Sequence, residues 1–255
     1  MLQSVCPIEY VTEVAENVFI LGCTSEAIST TILPGQFVNI RISAGTEPLL
    51  RRPFSVYRTE GSTLEIIFNV VGKGTTSLQH KRRGETLDVL GPLGVPFSLS
   101  NADFETAILV GGGLGVAPLP LTTLALKRLR KNIVTILGAR SKKQIVTTHL
   151  DNIHIATDDG SLGKKGNAVE LLTDLLNAGS YTKPMVFGCG PTAMLRALAS
   201  STQSRSIPCE VSLEGPMGCG FGICQGCPVE LVGPEKKYAL MCKDGPTFNV
   251  SRIVI

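Results

Sequence analysis

This chain has almost no charge bias, few histidines and no long apolar run, and each shortage removes a class of function. Lys and Arg number 24 against 21 Asp and Glu, a net charge of +3, far from the basic excess of a nucleic-acid binder. No stretch approaches the roughly 18–20 consecutive apolar residues that cross a bilayer. No N-terminal segment combines a basic region, an apolar run and a small-residue cleavage site. Nucleic-acid and membrane partners are therefore not expected, and a cytoplasmic location is. The three histidines, His80, His149 and His154, make no metal-ligand or triad spacing, so each reads as a surface or satisfied residue. Repeats and low-complexity tracts are missing as well. The densest basic run, Lys127-Arg128-Leu129-Arg130-Lys131, falls where a helix should end, and cations there complement the helix dipole. At 255 residues and 43% hydrophobic content, the chain can hold two compact domains and a small appendage.

What is abundant is cysteine, eight in all, four of them gathered near the C-terminus. Cys219, Cys224 and Cys227 carry the C-x4-C-x2-C spacing of a plant-type 2Fe-2S site. Between Met217 and Cys227 four glycines alternate with the ligands, and glycine lets a backbone turn tightly around a small inorganic core. The fourth thiolate is Cys242, brought back by a hairpin over 228–232 and 238–241 with a turn at 233–237. Two other uses of four cysteines stay open at this point: a structural zinc site, although only Cys224 and Cys227 form the usual short knuckle, and disulfides, which suit an exported protein. Cys6, Cys23, Cys189 and Cys209 are scattered, and a lone cysteine defaults to a small buried apolar residue.

Three segments differ in pattern. Residues 1–102 read as an antiparallel β-barrel, with strands at 18–21, 35–42 and 64–70; Val38, Ile40 and Ile42 alternate against Asn39 and Arg41, as in a half-buried strand. Residues 103–208 carry continuous apolar runs at 107–110, 133–137, 153–156 and 185–187, the mark of a doubly wound α/β domain with a parallel sheet buried on both faces. A helix is expected over 167–179, with Asn167 as N-cap, Glu170 closing the capping box and Gly179 as the stop. Residues 209–255 hold the four cysteines and are too few to be stable without their metal.

Two turns of the α/β segment fit a dinucleotide. Gly111, Gly112, Gly113 and Gly115 follow an apolar strand, where glycine admits a pyrophosphate to a helix N-terminus; tight strand-to-helix packing also wants glycine. Pro118 stands where the usual fingerprint has its third glycine. A second corner, Cys189-Gly190-Pro191, lies at the carboxyl end of another strand, where open α/β sheets bind ligands. That places Cys189 either near a bound nicotinamide or in the core as a structural thiol. Beyond the next strand, Arg140, Lys142 and Lys143 are cations able to accept a 2′-phosphate, so NAD and NADP are not separated here. In the barrel, Arg51, Arg52, Pro53, Phe54 and Ser55 read as a loop whose arginine fork suits a pyrophosphate, and Gly72 to Leu78 is a glycine-rich start of a helix.

Arg-x-Pro-x-Ser on a barrel, followed by Gly-x-Gly-x-x-Pro and Cys-Gly-Pro on an α/β domain, resembles the ferredoxin reductase superfamily over nearly the whole chain. With the cysteine set, the resemblance is nearest to electron-transfer subunits of two-subunit, NAD-linked bacterial dihydroorotate dehydrogenases. It implies FAD held by Arg52, Pro53, Phe54, Ser55, Ile67, Phe68, Asn69, Gly74 and Thr75. NAD is then held by Gly111, Gly112, Gly113, Gly115, Cys189, Gly190 and Pro191, and a 2Fe-2S cluster by Cys219, Cys224, Cys227 and Cys242. It also implies a partner subunit carrying FMN, two copies of each in a heterotetramer, and electrons passing from that FMN through cluster and FAD to NAD during pyrimidine synthesis. A flavin converts single electrons into hydride, so no catalytic acid or base is expected. Where Phe68 and Asn69 stand, such proteins often carry tyrosine and arginine, and Glu214 to Met217 replace an arginine before the cluster loop. A related module of a hydrogenase or sulfur reductase complex shares the same parts. A non-redox binding protein stapled by zinc is the reading from another class.

Overall fold

The computed structural model describes residues 1–43, 45–100, 103–233 and 237–255. Six antiparallel strands, β1 (Leu2–Ala15), β2 (Val18–Thr24), β3 (Phe37–Arg41), β4 (Arg52–Glu60), β5 (Thr63–Asn69) and β6 (Thr86–Leu93), close a barrel in the order β1-β2-β5-β4-β3-β6. The alternation along β3 sends Val38 and Ile40, with Ile42 just beyond, into the barrel core beside Leu21, Val56, Leu64 and Ile66. Phe37 and Asn39 take the opposite face. Two short helices, α1 (Glu26–Ser29) and α2 (Lys73–Gln79), interrupt the strands.

The segment expected as an Arg-Arg-Pro loop is the start of β4 from Arg52 onward. Pro53 is tolerated there because β5 pairs with β4 only from Val56 on, leaving one side of the strand open at the proline, the position that suits a residue without an N–H. The same splay between the first residues of β4 and the last of β5 opens the barrel toward the α/β domain.

That domain carries parallel strands β7 (Thr106–Gly112), β8 (Asn132–Ala139), β9 (Ile153–Thr157), β10 (Lys164–Lys165), β11 (Pro184–Cys189) and β12 (Cys209–Ser212). Their helices are α3 (Leu119–Arg128), α4 (Ala168–Ala178) and α5 (Thr192–Gln203). α4 shows its expected punctuation: the Asn167 side chain accepts from the Val169 and Glu170 N–H groups, Glu170 reaches back to the Asn167 N–H, and Gly179 follows the last turn. α3 ends within the basic run, where Lys127 pairs with Asp151 at 2.8 Å and Lys131 lies 4.4 Å from the centre of the Phe104 ring.

Beyond β12 the chain forms the cysteine loop and then an antiparallel hairpin, β13 (Pro228–Glu230) with β14 (Tyr238–Leu240). Residues 234–236 of the expected turn lie outside the described residues. One turn of helix, α6 (Met241–Asp244), carries Cys242, and β15 (Thr247–Asn249) returns antiparallel to β12. The full sheet runs β10-β9-β8-β7-β11-β12-β15. The cysteine module is thus threaded out of the α/β sheet and back into it. Cys227, Val229, Met241, Cys242 and Ile253 share one core with Val186, Leu198 and Val211 of the α/β domain, which supports a segment too short to bury a core alone.

Candidate functional site

The sheet order reverses between β7 and β11: from β7 the chain winds out through β8, β9 and β10, then returns to the other side of β7. Ligands of doubly wound sheets bind at such a switch point. Here the two glycine-bearing corners meet. After β7 a 3-10 turn, Gly113–Val116, precedes α3, whose N-cap is Pro118. That inserted turn explains why proline replaces the third glycine of the fingerprint. Gly115 is required by packing: a Cβ there would lie 2.0 Å from the Cys189 carbonyl oxygen. Gly113, at φ +55°, faces open space, a cradle that any side chain would fill.

Around these corners lies a cavity of about 880 Å³. Its wall takes in Gly112, Gly113, Gly115, Gly190 and Pro191 of the expected residues, together with Asn17, Arg140, Asp158 and Asn167. Gly111 and Cys189 are not on that wall. The Cys189 thiol is fully buried, and burial, followed by the nearby Glu214 carboxylate, pushes its pKa up. Of the two roles left open for Cys189, its burial matches the structural thiol.

A second cavity, of about 770 Å³, occupies the splayed end of the barrel. Arg52, Pro53, Phe54, Ser55, Ile67, Phe68, Asn69, Gly74 and Thr75 all line it. Phe37, Phe54 and Phe68 supply its aromatic wall, with Phe68 stacked on Phe19 at 5.8 Å and edge-on to Phe54 at 6.2 Å. Polar side chains, among them Arg52, Ser55, Asn69, Lys73 and Thr75, share the wall with the apolar ones. Arg52 bonds the Leu50 and Arg51 carbonyls through one nitrogen, Nη1, leaving the rest of its fork for an anion. Thr75 is turned to its own helix, accepting from the Val71 and Gly72 N–H groups at 2.9 and 3.2 Å. Arg51 points away: it donates to the Asp88 carbonyl at 2.8 Å and pairs with the Asp88 carboxylate at 2.7 Å.

Asn69, Leu114 and Glu214 line both cavities. The two spaces therefore touch, and Glu214 stands at their junction, open to both yet crowded by their walls, which raise its carboxyl above the usual range. Glu214 was visible in the sequence only as a departure before the cysteine loop, and nothing in its spacing marked it as a cavity residue.

The cysteine loop leaves that junction through Gly215 and Met217, which also line the barrel cavity. The thiols stand in pairs. Cys227 Sγ and Cys242 Sγ are 3.3 Å apart and buried, and the Cys219 thiol lies within the influence of Cys224. Burial opposes ionisation of Cys219, but N–H groups of Cys224, Phe221 and Ile223 outweigh it and hold the thiol at about 6. Cys242 is pushed up to about 12, by burial and by its contact with Cys227. Metal ligation takes cysteine as thiolate, so loading this site would release protons. All eight cysteines are free thiols, so the disulfide alternative is not realised. Among the described residues no three His, Cys, Asp or Glu side chains close around one ion. Two cysteine pairs suit a binuclear cluster with two sulfur ligands per iron better than a single tetrahedral zinc.

A barrel, an adjoining doubly wound domain and a cysteine module define a flavoprotein oxidoreductase of the ferredoxin reductase type, with FAD, NAD and a 2Fe-2S cluster as its redox groups. The profile of the iron-sulfur cluster binding domain of dihydroorotate dehydrogenase B matches residues 214–254. The dihydroorotate dehydrogenase B (NAD(+)) electron transfer subunit of Geobacillus kaustophilus is 38% identical over 249 residues, 95% of each chain, and that of Bacillus mycoides 35% over 252 residues. This chain belongs to that family of electron transfer subunits. Among solved structures, an NADH-dependent reduced ferredoxin-NADP oxidoreductase superposes with a TM-score of 0.86 at 32% identity, covering 98% of this chain and 90% of the other. The cytochrome b5 reductase domain of Ulva prolifera nitrate reductase, at 14% identity and a TM-score of 0.66, shares the fold, covering 81% of this chain and 94% of that domain. No helix among the described residues is long and apolar enough to cross a membrane.

Proposed function

We propose that this chain takes electrons from the FMN of a dihydroorotate-oxidising catalytic subunit and delivers them, through a 2Fe-2S cluster and FAD, to NAD+ in pyrimidine synthesis. The observation that carries the reading is the contact of the two cavities at Asn69, Leu114 and Glu214, with the cysteine-bearing loop leaving the same junction through Gly215 and Met217. When bound, FAD supplies the exchange between single electrons and hydride, and the cluster carries single electrons.

The chain's own residues then have simple tasks. Arg52 holds the pyrophosphate of FAD, Phe54 and Phe68 enclose the ring system and exclude water, and Ser55 and Asn69 offer polar groups without a protein partner among the described residues. Gly112, Gly113, Gly190 and Pro191 admit the nicotinamide dinucleotide to the switch point. Cys219, Cys224, Cys227 and Cys242 hold the cluster, and none of these residues needs to move a proton. The division of labour follows the chain: barrel for FAD over 1–102, α/β domain for NAD over 103–208, cluster module over 209–255. The assembly is a cytoplasmic heterotetramer with two copies of each subunit.

Because dihydroorotate needs its own flavin and proton acceptor, this chain alone should not oxidise it. Purified alone and loaded with cofactors, it should reduce an artificial dye with NADH and show no dihydroorotate turnover; turnover without the partner contradicts the assignment. The likeness to the reduced ferredoxin-NADP oxidoreductase favours a second reading, in which the same module serves a different NADH-linked complex. The subunit that co-purifies separates the two.

A further inference from the structure

The Arg-Arg motif leaves one arginine unexplained by the flavin cavity, and following Arg51 leads to Asn39. Asn39 is 0% exposed in the middle of β3, on the outward face that carries Phe37. Directly opposite it on β4 is Pro53, and Phe37 opposes Ser55; Phe37, Pro53 and Ser55 all line the barrel cavity, and facing residues on paired strands share a side. Asn39 therefore stands beside the flavin wall. Its Nδ2 donates to the carbonyl of Cys219 at 2.9 Å, joining residues 180 positions apart. The contact is close. Gly220, at φ +85°, presents its bare Cα to the amide, and a Cβ there would lie 2.4 Å from Asn39 Nδ2. Arg51 holds the Asn39 stretch of β3 from behind, bonding the Asn39 carbonyl at 3.4 Å while paired with Asp88.

A side chain needed only to fill this space would not be an amide. The Asn39 Oδ1 is buried with no hydrogen-bond partner, a state that carries a desolvation penalty and that a leucine of similar shape would avoid. What the amide provides is the bond to Cys219. We propose that Asn39 is a positioning residue for electron transfer: it fixes the first cluster ligand, and with it the cluster loop, against the flavin-bearing strand pair. Groups that orient ligands from outside the coordination shell change affinity or activity about 10- to 100-fold when lost, because loosely supported sites drift from working geometry.

The inference rests on the four cysteines holding a cluster, and the test separates the two. The holoenzyme with its catalytic partner is purified anaerobically as wild type, Asn39→Leu and Asn39→His, the last keeping an N–H donor near the Nδ2 position. NADH is mixed with each, flavin bleaching is followed optically, and reduction of the cluster is followed by freeze-quench EPR. In Asn39→Leu, flavin bleaching should keep its wild-type rate, cluster reduction should slow about 10- to 100-fold, and the cluster g-values should shift; Asn39→His should recover most of the rate. Unchanged g-values and cluster reduction in Asn39→Leu overturn the proposal, as does equal impairment of the Leu and His variants. Should Asn39→Leu fail to fold, Asn39→Asp, which keeps the shape and removes the donor, is judged by the same criteria. A wild-type protein without acid-labile sulfide would instead overturn the cluster itself.

Discussion

Arg51 and Arg52 adjoin in sequence and separate in space, since successive residues of an extended chain face opposite sides. Arg52 lines the barrel cavity, whereas Arg51 is tied to Asp88. Arg52→Ala should weaken FAD binding about 10- to 100-fold, the loss of a charge-assisted bond of about 1.5–3 kcal/mol, measured by flavin fluorescence titration. Arg51→Ala should leave that affinity within about twofold and lower the melting temperature. A motif could show that arginines were present, but not which one turned inward. Tyr10 has a different consequence. It donates to Glu65 at 2.6 Å, and Arg58 closes on the same carboxylate. Burial and then Glu65 raise the Tyr10 phenol above its ordinary 10.0. As pH climbs past that value the unfolded chain sheds the proton first, so stability present below it is lost above it. Urea midpoints should fall from pH ~9 to ~11, and less steeply in Tyr10→Phe, which should also be less stable at neutral pH by about 1–3 kcal/mol because Glu65 loses a donor.

Among elements, the glycine turn after β7 holds two glycines with opposite reasons to exist. Gly115→Ala drives a Cβ to 2.0 Å from the Cys189 carbonyl, backbone that cannot yield, and should destabilise by about 3 kcal/mol or more, read as a drop in thermal midpoint. Gly113→Ala meets nothing and costs only about 1–2 kcal/mol for its left-handed backbone; its effect should appear as a raised KM for NADH. Sequence spacing grouped these glycines, since both readings of a glycine, ligand approach and packing, look alike in one dimension. The parallel strands and α4 were legible because their signals are local: continuous apolar runs and an Asn-x-x-Glu cap. β1 was not, because along fourteen residues only Cys6 and Ile8 are buried, and β4 was hidden by a proline whose tolerance depends on where β5 stops pairing.

At the scale of the whole molecule, the cysteine module is an excursion from the α/β sheet, shut by β15 and packed on that domain's core. Removing iron should therefore loosen the loop while the hairpin and sheet persist. Hydrogen exchange after anaerobic chelation should accelerate over 217–227 and leave β7, β8 and β11 protected; exchange spreading through the sheet would show that the metal holds the domain together. The four cysteines were recognisable from spacing alone, but their arrangement as two pairs, and the meeting of both cavities with the loop at Glu214, arise from contacts between segments far apart in sequence. One titration tests that convergence. Anaerobic addition of NADH to the reconstituted chain, followed by optical and EPR spectroscopy, should bleach one FAD per chain and then develop the signal of a reduced 2Fe-2S cluster. A chain that takes up flavin and iron yet leaves its cluster oxidised under excess NADH would contradict it.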